Sequence, residues 1–283
     1  MNAMAQKESF RNILKMHSLS SGFAGALLDI FIPIYLLTLG YSLVAVMVFL
    51  IIRNTALLLG AFGAVFVSNK LGLVRTLWVR LGFLSLHLFL LYLLQTKTGF
   101  PLYLVAVIGG IEAAFYWIPL NTLFTRFAQT KAMAKQMSHF FVLPEAAGLF
   151  APLLGGFVAV LLGFPALFIF SFLVNIGAVA FLSNLAQEKT HFQFSLTCFK
   201  QIWHRNKTYF VSEFFNHISE ETAGIIFPVV AYLSLLSITG IGAIGTLISL
   251  GMIIVTLAIG QFADRYDKRN MLRLGAVLLM GTW

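Results

Sequence analysis

The feature that most constrains this chain is a succession of apolar runs about twenty residues long or longer, enough to cross a hydrocarbon core of about 30 Å. Lipid offers the backbone no hydrogen-bond partners, so such runs must be helices, and the alternating pattern of a membrane β-barrel is absent. Composition agrees: 59% of residues are hydrophobic and 10% charged, whereas soluble chains carry roughly a quarter charged residues. The fold class is therefore an all-α membrane protein, a helical bundle, and a soluble enzyme is excluded.

Eight spans and the start of a ninth can be drawn, at 18–39, 42–68, 76–95, 100–125, 138–162, 164–184, 208–235, 239–262 and 271 onward. The connections then alternate in Lys and Arg content. One side holds Lys7, Arg11 and Lys15, then Lys70 and Arg75, then Arg126, Lys131 and Lys135. It also holds Lys189, Lys200, Arg205 and Lys207, then Arg265, Lys268, Arg269 and Arg273, while the other side holds only Lys97. By the positive-inside rule the N-terminus is cytoplasmic in a multi-pass protein of the cell (inner or plasma) membrane. The net charge of +9 is thus topological and does not point to nucleic acid. The basic, then apolar N-terminus runs too long for a signal peptide and reaches Gly40 without a clear cleavage site, so it reads as a retained first span. The single Cys198 excludes an internal disulfide.

Six spans form a first bundle at 1–184. A cytoplasmic or interfacial linker follows at 185–207, whose stretch His191 to Trp203 mixes aromatic and basic residues as interfacial helices do. The remainder, 208–283, reads as an incomplete second bundle repeating the first at an offset of 195: Pro33 matches Pro228, Ser42 matches Ser237, Asn69 matches Asp264 and Lys70 matches Arg265. Parallel repeats of six spans are a transporter architecture. A complete second copy would end at about residue 380, so the sequence is expected to be a fragment lacking the last three spans.

The stretch Gly260-Gln-Phe-Ala-Asp264-Arg265-Tyr-Asp-Lys268-Arg269 closely resembles the signature turn of the major facilitator superfamily, Gly-x-x-x-Asp-Arg-x-Gly-Arg-Arg. In that family the turn lies between spans two and three and again between eight and nine. The first-half counterpart, Asn69-Lys70-Leu71-Gly72 with Arg75, departs from it by carrying Asn for Asp. Ala151-Pro152-Leu-Leu-Gly155-Gly156 resembles the family's fifth-span Gly-Pro-x-x-Gly-Gly motif, associated with antiporting exporters; close helix packing explains it nearly as well. The span-four arginine common in the family is absent: alignment on Gly110 puts Ala106 there, with Glu112 just after. The resemblance implies a major-facilitator-type bundle of two six-helix repeats, the second truncated, and a secondary transporter of a small solute working by alternating access. It also implies a cytoplasmic gate at the two basic turns.

Charges within the bilayer are costly, roughly 2.5–3.5 kcal/mol each on insertion scales, so each needs a reason. Asp29, near the midplane of span one, shares a face with Ser18, Gly22 and Gly25; it either lines the pathway or sits in a buried ion pair. Span seven presents Glu213, Asn216, His217 and Glu220, with Glu221 beside them, suited to relaying protons, binding a cation or recognising a basic substrate. Arg53 keeps its proton and needs an anion, with Asp29, Glu112 and Glu145 as candidate partners; a structural pair and substrate recognition stay open. Arg80 reads as able to snorkel to the cytoplasmic surface, and His87 as structural. Two carboxylates and a histidine on one helix are only part of a metal-ligand set, so no metal and no cofactor are expected, with a proton or cation as coupling ion.

No His-Glu-x-x-His, Gly-x-Ser-x-Gly or nucleotide-binding loop occurs, so neither catalysis nor ATP hydrolysis is expected. A non-transporting receptor or scaffold on a transporter fold is the alternative. The expected partners are a small-molecule substrate and the lipid bilayer.

Overall fold

The computed structural model describes residues 3–96, 101–127, 142–183, 196–235 and 237–262, with 270, 273, 275 and 277; within these, the side chains of 3–11, 14, 196, 198, 199, 213, 216–228, 235 and 260–262 lie outside the description. In chain order the helices are α1 (Ala3–Ala26), α2 (Phe31–Thr38), α3 (Leu43–Leu71), α4 (Leu73–Thr96), α5 (Leu102–Phe127), α6 (Ala151–Leu161), α7 (Phe164–Leu182), α8 (Leu196–Leu235) and α9 (Ile238–Phe262). No strand occurs among the described residues.

Among the described residues seven segments are long and apolar enough to cross a membrane: Lys15–Thr38, Leu43–Leu71, Leu73–Thr96, Leu102–Arg126, Val142–Leu161, Phe164–Leu182 and Ile238–Ile259. They correspond to expected spans one to six and eight. The expected span at 208–235 falls within α8, which kinks at Asn206, and most of its side chains are outside the description. The expected ninth span lies almost wholly outside the described residues.

Two spans depart from the continuous helices expected, each because of a proline. In the first, the helix gives way to a turn over 27–30 before α2 begins. Pro33 has no N–H to offer the Asp29 carbonyl four residues earlier, and its ring crowds that carbonyl. The chain tightens there to Leu28 N–H→Gly25 O (2.8 Å) and Phe31 N–H→Leu28 O (2.8 Å). In the fifth, helical residues 142–148 pass through a turn at 149–150 just ahead of Pro152, which withdraws the partner of the Gly148 carbonyl in the same way.

The connections are short because glycine permits them. Only Gly72 separates α3 from α4, at φ 91°, a region other residues rarely adopt. Ser42 caps α3 by accepting from Ala45 N–H at 3.2 Å.

α5 is the packing centre of the first bundle, lying against α3 and α4, while α1 packs on α7 and α4 also reaches α7. The core holds Leu27, Phe31, Tyr35, Phe49, Leu77, Leu91 and Leu167. Tyr35 satisfies its hydroxyl by donating to Leu91 O at 2.9 Å. The outside is apolar as well: Ile51, Leu58, Leu59, Phe62 and Phe66 form one exposed face of α3. In water such a surface would drive association; in hydrocarbon it is the ordinary exterior.

The second half meets the first where α9 packs on α6. A Cβ on Gly242 would overlap the Pro152 carbonyl, and one on Gly156 would stand 3.1 Å from Ile238 O. On its other side Gly155 faces Phe31 and Leu27, and nearby Gly148 meets Ala26. Small residues thus let two helix backbones approach the fifth span from opposite sides.

Candidate functional site

Arg80 lies seven residues into α4, on the stripe formed by Leu73, Thr76, Leu77, Leu84, His87 and Leu91, all buried. That spacing turns it inward, about 10 Å below the helix start at 1.5 Å per residue. Its Nε donates to Glu112 Oε1 at 2.5 Å and its Nη1 to Asn175 Oδ1 at 2.9 Å. The guanidinium lies over the Tyr116 ring, 4.4 Å from the centroid. Glu112 and Tyr116 are four residues apart on α5 and so share a face. The two charged side chains are only 9% and 11% exposed.

The centre extends through hydrogen bonds to four helices. The Tyr116 hydroxyl meets Ser21 Oγ at 3.0 Å, on α1. On α7, Asn175 Nδ2 donates to Ser171 O at 3.0 Å, and Ser171 Oγ donates across to Ala24 O at 2.9 Å. His17 Nδ1 lies 2.8 Å from Ala178 O; a carbonyl only accepts, so Nδ1 carries the proton. His17 Nε2 and Ser18 Oγ, both buried, have no hydrogen-bond partner among the described residues. All of these ties except Asn175–Ser171 run between helices, so the centre clasps α1, α4, α5 and α7 at depth. A buried pair of this kind tolerates loss of neither member, because the survivor becomes an uncompensated charge.

The expected site residues divide around this centre. Glu112 belongs to it, but its partner is Arg80 and not Arg53. Arg80 accordingly does not snorkel: its three-way contacts with Glu112, Asn175 and Tyr116 hold it within the bundle. Arg53 is half-buried on α3, and its Nε is buried without a hydrogen-bond partner. Asp29 is exposed, at the turn caused by Pro33, with its carboxylate against Gly25 and within electrostatic range of Tyr116. The face it was expected to share as cavity lining is used for packing: Ser18 is buried, and Gly22 abuts Pro144. Glu145 is half-buried in the helical stretch before the 149–150 turn. The side chains of Asn216, His217 and Glu220 lie outside the described residues.

At the first basic turn, Asn69 is half-buried, Arg75 is exposed and Lys70 is exposed with its Nζ 4.4 Å from the Phe66 ring centroid. Gly72 N–H donates to Ser68 O at 2.9 Å, and Thr76 Oγ1 donates back to Gly72 O at 2.9 Å, fixing the turn. Gly260 opens the second-half counterpart near the end of α9, while Asp264, Arg265, Lys268 and Arg269 lie outside the described residues.

Sequence reasoning missed His17, Ser21, Tyr116, Ser171 and Asn175. A signal was available for two of them: Tyr116 stands four residues beyond Glu112, and Asn175 is a lone amide deep in an otherwise apolar helix.

Fold and site together define a multi-pass helical membrane protein with a charged centre inside its first bundle. No known protein-family model matches the chain, and no curated protein matches it significantly.

Proposed function

We propose that the protein is a secondary active transporter that moves a small solute by alternating access, in a bundle of the major-facilitator type with two six-helix repeats. The observation that carries this reading is Asp29. It is a carboxylate nine residues before Thr38, about 13 Å from the outer end of its span, at a helix break, and exposed instead of buried in the bundle. A carboxylate at that depth is too costly against lipid, so it belongs to a water-filled cleft. Its neighbour Ile30 lies against Gly245 of α9, so the cleft borders the second half of the chain. A broken helix beside an ionisable group at the midplane is the arrangement from which alternating-access sites are built. The glycine contacts of α6 with α9 would provide a seam about which the halves move.

On this reading Asp29 exchanges protons with the cleft and couples them to cargo, and the basic turns, with Asp264 in the second, brace the cytoplasmic face in one state. The N-terminus is then cytoplasmic, and no catalytic step or cofactor is involved. Liposomes carrying the full chain and an entrapped pH dye provide the test. Proton movement on adding solutes from a panel of small organic anions and cations is expected for at least one of them, with loss in Asp29→Asn. Saturable solute binding without any proton or solute flux would favour the receptor reading instead.

A further inference from the structure

We infer that Arg53 is the recognition point for a small monocarboxylate, bound at mid-membrane depth on the inner side of α3. The inference deepens the transporter reading and rests on it for the word cargo, although its test reads binding alone.

Arg53 faces the bundle. Val46, Phe49, Leu50 and Ala56, at seven, four and three residues before it and three after, are the nearest buried residues of α3, so Arg53 shares their face. The lipid-side residues Ile51, Leu58, Leu59 and Phe62 lie opposite. Just here α3 and α5 come into backbone contact, since a Cβ on Gly110 would overlap the Arg53 carbonyl. Arg53 is ten residues into α3 and Glu112 ten residues into α5, two helices that run the same way, so both sit about 15 Å deep.

The carboxylate nearest in depth is nevertheless spent. Glu112 accepts from Arg80, which also donates to Asn175. Arg53 forms no ion pair among the described residues, and its buried Nε has no hydrogen-bond partner there. The residue as a whole is only half-buried. A planar fork of donors with an unused N–H is matched by a two-oxygen anion.

Charge sets the valence. Among the described residues Arg80 and Glu112 cancel while Arg53 is in no ion pair, so a single carboxylate is enough to neutralise it. His87 adds a polar contact. Its ring lies within electrostatic range of both Glu112 and Arg53. Its Nδ1 lies 3.1 Å from Val105 O and so carries the proton, which leaves Nε2 unprotonated. The buried neighbours of Arg53 on its own helix, Phe49, Leu50 and Ala56, are apolar, which suits a short carbon skeleton behind the carboxylate.

The test uses the full chain in phosphatidylcholine nanodiscs, reading Tm as lactate or benzoate is added, with benzamide, inorganic phosphate and tetraethylammonium as comparison probes. A saturable rise is expected with the monocarboxylates and none with benzamide or tetraethylammonium. Arg53→Gln should abolish it, and Arg53→Lys, which keeps the charge but loses the fork, should weaken binding about tenfold or more. Should Arg53→Gln fail to fold, the contrast between benzoate and benzamide on the unaltered protein still decides. Stabilisation by phosphate without the carboxylates, an equal rise in Arg53→Gln, or no rise with either carboxylate overturns the proposal. Flux of a cationic solute with no carboxylate binding overturns it while leaving the transporter reading intact; carboxylate binding without flux of any solute does the reverse.

Discussion

Arg53 and Arg80 occupy neighbouring helices of one bundle, both turned inward, and the protein treats them in opposite ways. Arg80 is enclosed by Glu112, Asn175 and the Tyr116 ring. Arg53, at the depth of that same glutamate, is half-buried with an unpartnered Nε. Membrane insertion penalises both charges, so each needs compensation. For Arg80 the compensation is built into the fold. For Arg53 no such partner is found among the described residues, and on the proposal above it comes from a bound carboxylate. The difference separates a charge that holds helices together from one proposed to meet a ligand.

The comparison can be broken by substitution. Glu112→Gln leaves Arg80 as a buried, uncompensated cation, and a loss of about 3–5 kcal/mol is expected in unfolding measurements. Replacing both members, as Arg80→Met with Glu112→Leu, should recover most of that loss, because a well-packed apolar pair is often as stable as the ion pair it replaces. A double variant as unstable as the sum of its singles would mean that the pair is not what holds the centre. Gly242→Ala should cost about 1–3 kcal/mol through overpacking against Pro152 and should reduce cross-linking between cysteines placed on α6 and α9. Ser21→Ala removes one hydrogen bond to Tyr116 and should cost about 1 kcal/mol, seen as a small fall in Tm.

Much of the architecture was legible before any coordinates. Six consecutive apolar runs, the short basic turn at Lys70–Arg75 and the hairpin glycines gave spans close to those observed, since run length and lipid leave a chain few choices. The breaks at 27–30 and 149–150 were less legible. Pro33 and Pro152 mark them, yet a proline only permits a break, and neighbouring packing decides whether the helix bends or interrupts. Pairing was the least legible of all. Glu112 was a candidate for Arg53 on equal terms with other carboxylates, and nothing in the linear order says that α4 presents Arg80 to it first. That outcome depends on helix rotation and neighbour choice, which arise from many leucine contacts and not from any motif. The small residues of the first span illustrate the same ambiguity: Gly22 suited a cavity wall, but its lack of a side chain is used to admit Pro144.

The most direct test sets the two arginines side by side: unfolding of Arg80→Gln and Arg53→Gln under identical conditions in the same nanodiscs. Arg80→Gln is expected to lose about 3–5 kcal/mol, because Glu112 is left buried without its counter-charge. Arg53→Gln is expected to change stability by about 0.5 kcal/mol or less, or to raise it slightly, since no partner is orphaned. Comparable losses in both would contradict the account, because Arg53 would then be a second structural pair and not a charge kept open for a ligand.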